Sequence, residues 1–167
     1  MRWIYLNVDY FVLLLLWIIF PFILYKMVPR NRLREAIATF LFFQMLTWLF
    51  SIGLSYTNTL ESPIRLFKYA TKLNFTMEYL VFPALAVEFQ LKFPNHSNYT
   101  RILLHYLLWV GIIVSFIYLI GKFTDIMDVN NNHLIMSFFN FIIELWLSRQ
   151  YVLWIINKNN NKSDQII

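Results

Sequence analysis

The sequence predicts an all-helical integral membrane bundle of five transmembrane helices. Three observations carry that prediction. Of 167 residues, 59% are hydrophobic and only 14% are charged. The mean hydropathy is +0.55, above what a water-soluble domain carries. The apolar residues gather into five runs of about 20 residues, the length that crosses about 30 Å of hydrocarbon. Runs of this length satisfy their backbone groups internally as helices, whereas barrel strands are half as long and alternate with polar residues. The chain has no cysteine, which removes disulfides, thiolate metal sites and cysteine nucleophiles, and it has three histidines, His96, His105 and His133.

The first run, 10–27, follows Arg2 and ends on Pro21, Tyr25, Lys26 and Met27 where a cleaved leader would show small residues. It reads as an uncleaved anchor. A basic connection with Arg30, Arg32 and Arg34 leads to the second run, 36–56. Between 57 and 72 the chain carries Glu61, Arg65, Lys68 and Lys72. Its stretch 63–73 fits either a short helix lying in the interface or a plain basic loop. The third run, 73–93, holds Pro83, whose missing amide frees a carbonyl and kinks a helix. The fourth, 102–121, has Gly111 and Ser115 four residues apart, a small-residue pair suited to close helix packing. A polar connection with Asp125, Asp128 and Asn130 to Asn132 precedes the fifth run, 134–157. Residues 1–157 thus read as a single transmembrane domain, and the asparagine-rich tail 158–167 as a disordered cytoplasmic segment.

Lys and Arg distribute unevenly between the two sides of such a bundle. Lys26, Arg30, Arg32, Arg34, Lys92, Arg101, Lys158 and Lys162 fall on one side, while Arg2, Arg65, Lys68, Lys72 and Lys122 fall on the other. The positive-inside rule then puts the N-terminus outside and the C-terminus inside. Trp3, Tyr5, Tyr56, Tyr99, Tyr106 and Trp154 sit near run ends, as an interfacial aromatic belt requires. The formal net charge of +5 is mostly this topology signal, and no basic patch apart from the spans suggests a nucleic-acid partner.

The informative residues in an apolar span are the polar ones, because a charged group at the helix centre costs about 2.5 to 3.5 kcal/mol on insertion scales. Glu78, Glu88, Glu144 and Arg149 are such residues. In the third run Asn74, Glu78, Val81, Leu85, Glu88 and Lys92 recur at helical spacing, which puts both glutamates within about 80° on one stripe of an ideal helix. Ser137, Asn140, Glu144, Ser148 and Tyr151 form a second stripe, and Gln44, Thr47, Ser51, Ser55 and Asn58 a third. Turning these three faces toward one another keeps them out of lipid. The expected site is a seam with Glu144 as central carboxylate, Glu78 and Glu88 as flanking acids, and Asn140 and Gln44 as neutral ligands. No metal ligand set, catalytic residue or cofactor motif is found: there is no His-Glu-x-x-His, no glycine-rich phosphate loop and no Gly-x-Ser-x-Gly. Each histidine reads as a loop or interface residue.

The pattern of Phe67, Ala70, Thr71, Asn74, Phe75, Glu78, Tyr79 and Pro83, followed by Phe93-Pro94, resembles a family of small multi-pass membrane proteins of low-GC, spore-forming Gram-positive bacteria. The family is without an assigned activity. The resemblance implies a bacterial cytoplasmic membrane location and carries no substrate or catalytic residue.

Two functions are compatible with these features. In one, the seam binds or moves a small cation or polar solute. In the other, the protein is a membrane interaction or assembly module whose seam docks a partner helix or a second copy, with no transport. An intramembrane enzyme has only the carboxylates to support it.

Overall fold

The computed structural model describes residues 2–56, 64, 74–95, 97–127, 129 and 131–163. Among the described residues five helices follow in order: α1 (Arg2–Met27), α2 (Leu33–Tyr56), α3 (Phe82–Leu91), α4 (Tyr99–Phe123) and α5 (Asn131–Ser163). A 3-10 turn, Arg30–Arg32, leads into α2, and a π-helical turn, Met77–Val81, leads into α3. Among the described residues there is no strand. Among the described residues three stretches, Val8–Met27, Arg30–Gly53 and Tyr99–Phe123, are long and apolar enough to cross a membrane. The third and fifth predicted spans differ for separate reasons. The third is divided between the π turn and a ten-residue α3, about 15 Å of regular helix. The fifth is a longer helix diluted by Ser137, Asn140, Glu144, Ser148 and Arg149, and it runs past the predicted end at 157 to Ser163. The stretch 63–73, where an interfacial helix was one of two expectations, lies outside the described residues apart from Ile64, as do His96, Asp128 and Asn130.

The short α3 occupies the middle of the bundle. Phe82, Pro83, Ala84, Ala86, Val87, Phe89 and Gln90 are all buried, and α3 packs against α1, α2 and α4 while α5 closes the bundle on α2 and α4. The longer helices turn large apolar side chains outward at helical spacing: Phe11, Leu14, Ile18 and Phe22 on α1, Ile37, Leu41, Met45 and Trp48 on α2, and Ile135, Phe139, Ile143 and Trp146 on α5. An apolar exterior of this extent suits a lipid bilayer and is uncommon on soluble proteins. Inside, Phe141 stacks on Phe43 at 6.5 Å between ring centroids and meets Phe82 edge-on at 5.0 Å, joining α5, α2 and α3. Such pairs contribute about 0.5 to 1.5 kcal/mol each, and they matter because lipid tails compete for the same apolar surface.

Polar contacts tie alternate connections together at the two ends. At one end, Arg32 pairs with Glu35 at 2.7 Å and donates at 2.7 Å to the carbonyl of Leu91, the last residue of α3. Gln90 donates to the same Glu35 carboxylate at 2.9 Å. A guanidinium on the free carbonyls of a helix C-terminus satisfies acceptors that the helix itself leaves open. Arg149 of α5 reaches this end as well, donating to Asn95 with its guanidinium 4.2 Å from the Phe93 ring centroid. At the opposite end, the Asp125 amide donates to Asp9 at 3.2 Å. The connections α1–α2 and α3–α4 therefore share one end, and the start of α1 and the α4–α5 connection share the other.

Candidate functional site

The site begins with a proline. In a regular helix the amide of residue 83 would bond to the carbonyl of Tyr79, and in a π turn to that of Glu78, but Pro83 has no amide to donate. Side chains of α2 take its place. Gln44 donates its amide to the Tyr79 carbonyl at 3.2 Å, and the Thr47 hydroxyl bonds the Glu78 carbonyl at 3.1 Å. The widened turn is thereby pinned against α2. A π turn carries about one residue more than an α-helical turn, which adds about 100° of rotation between the residues on either side of it.

That rotation separates the two glutamates of the third apolar run. Glu78 points into the bundle and is 2% exposed. Glu88, expected about 80° away on the same stripe, is carried about 180° from Glu78. It lies instead toward the end of α3, where its carboxylate pairs with Lys92 at 2.5 Å, well outside the seam. Gln44 likewise corrects its expected role as a ligand, since its amide is spent on the helix backbone.

Glu78, Glu144 and Asn140 do come together. They line one cavity of about 20 Å³ with Thr47 and Ser51 of α2 and His133 and Ser137 of α5, walled by Phe82, Ile117, Met127 and Phe141. The volume is room for about one water-sized species. Ser51 donates to Glu78 Oε1 at 2.8 Å. Glu78 Oε2 and Glu144 Oε2 are both fully buried and have no hydrogen-bond partner among the described residues. Glu144 is 2% exposed. Burying a carboxyl oxygen without a donor is costly, and two carboxylates on one cavity repel each other. A proton or a small cation between them removes both penalties, and the neighbouring hydroxyls and amide supply further oxygens.

His133 is the residue that sequence reasoning left out. It reads as a connection histidine because it precedes the fifth apolar run, yet it is 2% exposed and faces the cavity. The available signal is its spacing, since His133, Ser137, Asn140 and Glu144 follow at intervals of four, three and four. Arg149 is absent from the seam and belongs to the opposite network with Asn95 and Phe93. Among the described residues, no three His, Asp or Glu side chains gather as a metal would require. No family model, curated protein or solved structure matches the chain.

Proposed function

We propose that the protein is a five-span membrane protein whose central cavity binds a small cation, a proton or a water-sized polar solute, and that this site serves its movement across the bilayer. The observation that carries the reading is the pair of buried carboxyl groups lining one cavity, Glu78 and Glu144, each with an oxygen that has no partner among the described residues. Intramembrane acids are expensive and face bundle interiors where they serve ion or proton paths. The π turn supports the same reading, because single π turns recur at functional sites and this one aims Glu78 inward.

The polar stripes also favour binding over docking of a partner helix. Thr47, Ser51, Glu78, Ser137 and Glu144 are covered by the chain's own helices. As part of the proposal, α3 and α5 lie in the bilayer with the other three helices, although α3 is short and α5 is less apolar. The N-terminus is outside, with the end bearing Arg30, Arg32 and Arg34 in the cytoplasm. The membrane is the cytoplasmic membrane of a bacterium, supported by the motif around Asn74, Glu78 and Pro83.

The test is flux in liposomes containing the purified chain, read with proton- and cation-sensitive dyes. Flux above protein-free liposomes is expected, lost in Glu144→Gln and Glu78→Gln and kept in Glu88→Gln. Flux equal in wild type and Glu144→Gln overturns the mechanism.

A further inference from the structure

A second cavity lies away from the carboxylate seam. It is an open groove of about 710 Å³ between the end of α1 and the start of α2, with Val87 of α3 among its lining residues. Leu24 lines the α1 side, and Leu33, Ile37 and Leu41 follow one another along α2. The lining is apolar apart from the Tyr25 phenol and one charged group, Arg30, which stands exposed at the end where the α1–α2 connection begins.

Length and charge together indicate what fits. From Arg30 to Leu41 the groove runs about 16 Å along the helix axis. One leaflet of a bilayer has a hydrocarbon depth of about 15 Å, half of the roughly 30 Å core. The groove therefore extends from a basic end to about the middle of a membrane, and both helices that flank it are long and apolar enough to span one. Among the described residues, no carboxylate pairs with Arg30. Lys26 and Arg34, next in sequence to the lining residues Tyr25 and Leu33, are exposed beside it. Arg32, by contrast, is spent on Glu35 and the end of α3. An apolar slot of leaflet depth with an unpaired guanidinium at its mouth matches one molecule class, in which an acyl chain carries an anionic phosphate headgroup.

We infer that the α1–α2 groove is a binding site for one anionic phospholipid, its acyl chain lying along Leu33, Ile37 and Leu41 and its headgroup phosphate held by Arg30. The site is separate from the carboxylate cavity and does not depend on any flux through it.

Native mass spectrometry of the full chain in detergent, titrated with phosphatidylglycerol or with phosphatidylcholine of the same acyl composition, tests the assignment. One phosphatidylglycerol is expected to bind about tenfold more tightly than phosphatidylcholine, and Arg30→Gln to weaken it about fivefold. Ile37→Trp fills the groove at a half-exposed position and is expected to weaken the same binding. Arg101→Gln removes an equal charge from an exposed site outside the groove lining and is expected to leave binding unchanged. Equal affinity for the two lipids overturns the inference. Unchanged phosphatidylglycerol binding in Arg30→Gln or in Ile37→Trp also overturns it, as does an equal loss in Arg101→Gln, which would mark a diffuse attraction to surface charge.

Discussion

The Gln44 side-chain amide bonds the backbone carbonyl of Tyr79 at 3.2 Å, the carbonyl that Pro83 leaves without its α-helical donor. Gln44 thus completes a helix to which it does not belong. Replacing it with Leu keeps the bulk and removes the donor. We expect a loss of about 1 kcal/mol, between the roughly 0.6 kcal/mol mean for interhelical bonds in bilayers and the larger cost of an orphaned buried acceptor. Pro83→Ala restores a backbone amide, so the Gln44→Leu cost should shrink in that background. Unfolding in detergent for the four members of the double-mutant cycle measures this, and strictly additive losses would sink it.

Glu144→Gln is expected to raise the thermal stability of the protein in detergent by about 1 kcal/mol, because a carboxyl group with a buried oxygen that has no partner among the described residues is held at an energetic cost that a neutral amide lessens. Ser51→Ala should act in the opposite direction, removing the 2.8 Å donor to Glu78. Melting curves at neutral pH distinguish the two effects. A clearly less stable Glu144→Gln would make that residue a satisfied structural partner and not a ligand.

Glu88 is the internal control. Its ion pair with Lys92 spans one helical turn and is solvent-facing, with the lysine side chain 55% exposed. Pairs of this kind contribute about 0.3 to 0.5 kcal/mol. Glu88→Gln should therefore shift the melting temperature by no more than about 1 to 2 °C. A large destabilisation would place Glu88 in a buried network that the structure does not contain.

The helical class and the convergence of polar stripes were legible because lipid makes polar residues costly and so restricts where they can sit. Thr47, Ser51, Ser137, Asn140 and Glu144 announce a shared seam by spacing alone. Glu88 did not follow, because ideal helical geometry carries its phase only up to a π turn, and nothing local in Met77–Val81 announces the extra residue. Pro83 announced the freed carbonyl, but which side chain would serve it depended on the packing of α2 on α3. His133 was hidden by position: the apolar run begins after it, while the helix begins at Asn131. Arg149 was ambiguous because its partners Asn95 and Phe93 lie in a connection, where periodicity says nothing.

Arg149 holds α5 to the α3–α4 connection through two contacts that a lysine reproduces poorly, a guanidinium set over the Phe93 ring and a directed bond to Asn95. Arg149→Lys is expected to lose about 1 kcal/mol although the charge is kept. Phe93→Leu should remove most of the difference between Arg and Lys at 149. Unfolding of the two single variants and the double variant checks this, and an unchanged Arg-to-Lys difference on the Phe93→Leu background would refute it.

The absence of cysteine makes the orientation directly measurable. Asn31, in the turn before α2, and Tyr56, at the far end of that helix, are both exposed and mark opposite ends of one candidate span. With the basic end inside, Tyr56→Cys should react with a membrane-impermeant maleimide on intact cells, and Asn31→Cys only after permeabilisation. The reverse pattern would invert the bundle and put the groove bearing Arg30 in the outer leaflet. Labelling of both positions in intact cells would remove α2 as a single crossing. Because the anionic-lipid assignment needs only the groove and its arginine, it survives inversion, whereas the charge-based orientation does not.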